Sequence, residues 1–208
     1  MGHVQILPGD FTIASESWPA VKIWRSGKVF TSDSFTQAGK LLGSLTDTYR
    51  GGQPIRWEGY DSWDKSAGKA LVRSPGVIGL PIPGADYRAD IYIDQLPAAG
   101  EIRFGARRNT LVTGGDVTEL TIRVFSTGTV TLMDTAPGVS QMIGTASQAL
   151  SNGDRLAVVL DGSTAQVLVN GVVVITAEIS ALDSGYFTFN ATSTNTTSSI
   201  FEVVITAL

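Results

Sequence analysis

The chain predicts an all-β sandwich or barrel, and three observations carry that prediction. Residues 152–177, NGDRLAVVLDGSTAQVLVNGVVVITA, write two tight turns between three apolar, β-branched runs, which is the pattern of an antiparallel meander. Along the rest of the chain, strand-like runs bounded by turn residues recur every roughly 8–16 residues, a spacing that fits sandwiches and barrels and not βαβ units. Sustained helical periodicity is nearly absent.

Residues 1–28 read differently from the remainder of the chain. Val4-Gln5-Ile6-Leu7 is a short apolar run ended by Pro8-Gly9, and Trp18-Pro19 and Ser26-Gly27 punctuate the rest of the segment. Two readings stay open here, a separate arm and a first pair of strands of the same sheet. From Val29 onward the pattern is regular, and strands are expected over 70–73, 87–93, 101–106, 119–125, 129–133, 155–160, 165–169, 172–177, 186–190 and 200–206. In the run 89–94, Ile91 and Ile93 share one face while Asp90, Tyr92 and Asp94 share the other, so one face is core and one is wet. Asp161-Gly162 and Asn170-Gly171 are expected as the central pairs of type I′ turns, whose twist matches the strands they join. NATSTNTTSS, residues 190–199, is a polar loop before the last apolar run, and a chain that ends on a strand has its terminus held in the sheet.

Composition narrows the function classes. At 208 residues the chain holds one all-β domain of ordinary size. It has no cysteine, which removes disulfides, thiolate nucleophiles and cysteine-ligated zinc and leaves stability to packing. Fifteen basic against nineteen acidic residues give a net charge of −4 with no basic stripe, so a nucleic-acid partner is not expected. No run approaches the ~20 apolar residues of a bilayer span, and the first residues lack a charged and then apolar leader; a soluble protein without membrane insertion is expected. Charged residues make up only 16% of the chain, and a Thr-rich surface of low charge suits broad solvent-facing strands.

Asp33–Ser44 reads DSFTQAGKLLGS and is followed by Asp47-Thr48, Trp57 and the run Ala70-Leu71-Val72. This segment resembles the D-x-F-x-R-A-D-G-x-L-G-x pattern of concanavalin A-like (laminin-G-like, jelly-roll) domains in minor tail and tail-fibre-like proteins of actinobacterial phages. The meander from Gly153-Asp154-Arg155-Leu156 to Asn170-Gly171 looks like the one that closes such domains. The likeness spans about residues 29–208. It departs at Gln37-Ala38-Gly39-Lys40, where the pattern has Arg-Ala-Asp-Gly, so the loop here must be held without that Arg and Asp.

The resemblance implies a concanavalin A-like jelly-roll sandwich over 29–208; residues 1–28 lie outside it, and their break in pattern makes them an N-terminal arm, with Val4, Ile6, Leu7, Trp18 and Trp24 as candidate virion-attachment residues, or else first strands. It further implies a non-enzymatic tail-tip or fibre component, made in the bacterial cytoplasm, placed among other virion proteins and contacting a host surface glycan; the low charge and the Gly/Thr-rich loops add the expectation of a homotrimer. A capsid decoration protein is the rival, and a polysaccharide-cleaving glycosidase the third reading.

The residues bear on these readings directly. A retaining glycosidase places two carboxyls about 5–5.5 Å apart, and the E-x-D-x-E run typical of this fold is missing; Asp90 and Asp94, with Asp86, are the nearest substitute and read as a solvated face. Only one histidine exists, His3, so His-dependent triads and His-clustered metal sites are not expected. No cofactor and no metal are expected, although loop carboxylates Asp33, Asp47 and Asp154 are of the type that binds calcium. The segment YRGGQPIRWEGYDSW sets Tyr49, Trp57, Tyr60 and Trp63 among Arg50, Arg56, Glu58 and Asp61. Aromatic faces stack on sugar C–H surfaces and the charged groups hydrogen-bond hydroxyls, so Tyr49, Arg56, Trp57, Tyr60 and Trp63 are the candidate glycan contacts. Core packing by Trp57 and Trp63 is the competing and weightier reading.

Overall fold

The computed structural model describes residues 27–112, 116–180, 185–192 and 197–208. The N-terminal segment, with Val4, Ile6, Leu7, Trp18 and Trp24, and the middle of the 190–199 loop lie outside the described residues. In chain order the first eight strands are β1 (Val29–Asp33), β2 (Gly39–Lys40), β3 (Glu58–Gly59), β4 (Trp63–Ser66), β5 (Lys69–Val72), β6 (Gly76–Pro81), β7 (Tyr87–Gln95) and β8 (Glu101–Arg108). They continue as β9 (Glu119–Phe125), β10 (Val130–Ala136), β11 (Val139–Thr145), β12 (Arg155–Asp161), β13 (Thr164–Val169), β14 (Val172–Glu178), β15 (Tyr186–Ala191) and β16 (Ser199–Ala207). A nine-stranded antiparallel sheet runs β14-β13-β12-β7-β16-β5-β4-β2, with β1 also on β16, and a seven-stranded one runs β11-β10-β9-β8-β15-β6-β3. The fold is the expected all-β jelly-roll sandwich.

The core lies between the sheets because each long strand alternates. On β7, Tyr87, Ala89, Ile91 and Ile93 face inward, while on β12 Leu156, Val158 and Leu160 do the same. Phe189 on β15 is the hub of an aromatic cluster, with ring centroids 5.1 Å from Trp57, 5.4 Å from Trp63 and 5.7 Å from Phe104. Such pairs add about 0.5–1.5 kcal/mol each beyond the area they bury.

A charged group is built into this core. The Asp33 carboxylate accepts hydrogen bonds from the Trp57 indole N–H at 2.8 Å and the Phe35 amide at 2.9 Å, with Lys65 Nζ at 4.0 Å. Burial pushes the Asp33 carboxyl above its usual range even though these donors and Lys65 pull it down. The loop after β1 is thus anchored from Asp33 itself, and Asp47 holds its far side by accepting from the Ser34 amide at 3.0 Å. Those two anchors answer the departure at Gln37–Lys40.

Two turn expectations part company. Asn170 and Gly171 both have positive φ, 51° and 85°, between paired Val169 and Val172, as a type I′ turn requires. The other loop is Gly162-Ser163, because Asp161 pairs Thr164 within the ladder. Only Gly162 has positive φ there, 56°, which is the glycine-first pattern of a type II′ turn. Strands β1 to β4, β6 and β11 were not expected from the sequence; β2 and β3 are two residues long, and β11 is mostly exposed, so neither length nor alternation marks them.

Candidate functional site

The outer face of the nine-stranded sheet carries the most developed polar arrangement. Arg88, Asp90 and Tyr92 stand on the outer side of β7, opposite the core residues Ala89 and Ile91. Register then supplies their neighbours: Tyr92 lies between Arg155 of β12 and Glu202 of β16. Asp90 lies between Ala157 and Val204, and Arg88 between Val159 and Thr206. Because the residues flanking Asp90 and Arg88 are small or β-branched, the surface dips there into a groove of about 470 Å³, lined by Arg50, Arg88, Asp90, Tyr92 and Arg155 among others. That size falls within the range of about 300–1,000 Å³ usual for ligand sites. A hollow of about 500 Å³ beside Lys40, Asp64 and Arg73 has no aromatic side chain in its lining.

Two of the three guanidiniums in the groove are firmly paired. Arg50, reaching in from the loop after β2, grips Glu202 with both arms, Nε to Oε1 at 2.6 Å and Nη2 to Oε2 at 2.8 Å. Its Cζ sits 5.4 Å from the centroid of the Tyr92 ring, within cation–π range. Arg88 grips Asp90 the same way, at 2.7 Å for both bonds. The carboxylate partners hold both guanidiniums above their usual range, Glu202 through its hydrogen bonds to Arg50 and Asp90 through its own to Arg88. Arg155 differs: its Nε is 3.7 Å from Asp90, beyond a good hydrogen bond, and its side chain is 36% exposed.

The sequence candidates for glycan contact are not gathered into one place. Trp57 and Trp63 are 0% exposed and pack on Phe189, so neither indole face is open to a ligand in this structure. Tyr49 is 71% exposed and precedes Arg50 in the chain, outside the groove's lining. Tyr60 is 46% exposed beside β3, and Arg56 is exposed, its Nη1 donating to the Gly43 carbonyl at 2.6 Å. The residues that sequence reasoning passed over as ligand contacts are Arg88, Tyr92, Arg155 and Glu202. The period-two alternation of β7 was the available signal for Tyr92; for its neighbours on β12 and β16 there was none.

The carboxylates considered for chemistry are engaged elsewhere. Asp90 and Asp94 are four residues apart on one strand, about 13 Å at the usual rise, farther than either glycosidase spacing. Asp94 is held by Lys69 at 2.8 Å and by the Ser199 hydroxyl at 2.5 Å, and Asp86 binds Arg107 at 2.9 Å. The calcium candidates do not suit a cation: Asp33 accepts from Trp57 and Phe35, Asp47 from the Ser34 and Tyr49 amides, and Asp154 from the Ser151 amide and Asn170 Nδ2. Donors point at the oxygens a metal would need. Among the described residues, no three metal-ligating side chains cluster.

No protein-family model matches the chain, and no curated protein matches it in sequence. Solved structures do match in shape. The carbohydrate binding module CBM66 from Bacillus subtilis is 17% identical, with 82% of this chain and 95% of that one covered at a TM-score of 0.52. The exoplasmic/lumenal domain of VIP36 in its Ca²⁺/Man3GlcNAc-bound form is 14% identical, covering 83% and 91% at 0.61. LamAcat from Zobellia galactanivorans is 12% identical, covering 86% and 97% at 0.55. At these identities the likeness establishes the fold, a concanavalin A-like jelly-roll sandwich.

Proposed function

We propose that this chain is a non-enzymatic, lectin-like module that binds glycan in the groove on the outer face of its nine-stranded sheet. The observation that carries the reading is Tyr92 set between Arg155 and Glu202, with Arg50 and the Arg88–Asp90 pair around it. A sugar presents an apolar C–H face and a rim of hydroxyls, and this site offers a phenol ring with donors and acceptors on either side. The carbohydrate-binding module and the Man3GlcNAc-bound domain among its structural likenesses support the reading. Binding of the purified chain to a glycan array, repeated with Tyr92→Ala, tests it. The variant is expected to stay folded, with a somewhat lower thermal midpoint from the lost Arg50 contact, and to bind roughly tenfold more weakly; equal binding by both proteins overturns the site.

The finer reading makes this module a virion component of a tailed phage, at the tail tip or fibre, with capsid decoration as the rival. Its support is the DSFTQAGKLLGS segment, Asp33–Ser44, and the meander that closes the sheet. Immunogold labelling of intact particles separates the two: label on the tail supports host recognition, and label over the shell moves the protein to the capsid. The homotrimer belongs to the same reading, and a monomeric mass by light scattering at micromolar concentration excludes it.

A further inference from the structure

We infer that the groove selects acidic glycans, sugars bearing a carboxylate such as uronic acids, through Arg155; this rests on the glycan-binding reading above. Three guanidiniums, Arg50, Arg88 and Arg155, face two carboxylates, Asp90 and Glu202. Both carboxylates are engaged in two-armed bonds to Arg50 and Arg88, which leaves Arg155, among the described residues, with a single looser ion-pair contact, to Asp90 at 3.7 Å. Asp154, next to it in the chain, is occupied by the Ser151 amide at 2.7 Å and Asn170 Nδ2 at 2.8 Å. Arg107, Arg108, Arg123, Lys69 and Arg73 each meet a carboxylate at 2.9 Å or less, closer than Arg155 meets Asp90.

A guanidinium without a two-armed partner is the group whose planar fork matches an incoming carboxylate. Arg155 also lies directly across from Tyr92 in the ladder, so a sugar whose ring rests by the phenol presents its carboxylate to the fork. A neutral sugar fills the same space but offers the fork no carboxylate. The selectivity is local, since the chain as a whole carries −4 and repels polyanions elsewhere.

Titration of the full chain with polygalacturonate, carboxyl-reduced polygalacturonate, neutral mannan and polyglutamate tests the inference. Polygalacturonate is expected to bind, with its reduced form and mannan about tenfold weaker or worse. Arg155→Gln is expected to lose about the same factor for polygalacturonate alone, and Arg155→Lys to restore only part of it. Equal binding of the native and carboxyl-reduced polymers overturns acid selection while the glycan reading stands; that comparison needs no variant. Equal binding of polyglutamate, or no binding to any polysaccharide, overturns both.

Discussion

At the scale of single residues, the side chains that looked most like ligand contacts are those the core required. Trp57 is the clearest case, because its indole N–H is committed to a carboxylate inside the sandwich. Replacing it by Phe keeps most of the apolar volume but leaves Asp33 short of a donor, which costs about 1–3 kcal/mol. Denaturant unfolding measures this, and a loss near zero would mean that the hydrogen bond contributes nothing. Glu101 gives a pH prediction. Burial pushes its carboxyl up, but the hydrogen bonds from Arg123 at 2.5 Å and Arg103 at 2.7 Å outweigh burial and hold it below the usual 4.5. The unfolded chain therefore takes up this proton first, so the group stabilises the fold above about pH 4.5 and that stability is lost as pH falls through the lower folded value. Glu101→Gln is expected to show a smaller drop in thermal midpoint between neutral and acidic pH than the parent. An equal drop would sink the assignment.

At the scale of elements, turn chemistry explains why the C-terminal meander is so readable. Asn170-Gly171 occupies two successive left-handed positions, which β-branched residues reach only at about 1–2 kcal/mol each. Gly171→Val is expected to destabilise the chain by about that much in denaturant unfolding, whereas Ser163→Asn, at the other turn's second position, should be nearly neutral. If both were neutral, the turns would not be setting the register. The strands that escaped sequence reading share a cause. β4, Trp63–Ser66, buries Trp63 and Lys65 but is only four residues long, and β11 lies at the rim of the seven-stranded sheet with Val139 and Met142 exposed. Short or rim strands need not alternate cleanly, since only one flank and part of one face is buried.

At the scale of the whole molecule, β16 is the central fastener, pairing β7 along most of its length and β1 and β5 at either end. The described sandwich starts at Gly27, and the Lys28 carbonyl accepts the Ala207 amide at 3.2 Å. A chain beginning at Gly27 is therefore expected to fold cooperatively, with a thermal midpoint within a few degrees of the full chain. Unfolding of that truncation would make the first 26 residues strands of the sandwich and end the reading of them as an arm. The sequence by itself determined the all-β class, the meander and the inward and outward faces of β7, because those depend on local turn conformations and a period of two. Only the tertiary structure decided that Trp57 and Trp63 meet at Phe189, and that Arg155 and Glu202 flank Tyr92 while Arg50 reaches Glu202 from 152 residues away. A groove assembled across three strands depends on which strands pair and in what register, and no local pattern in the chain encodes either.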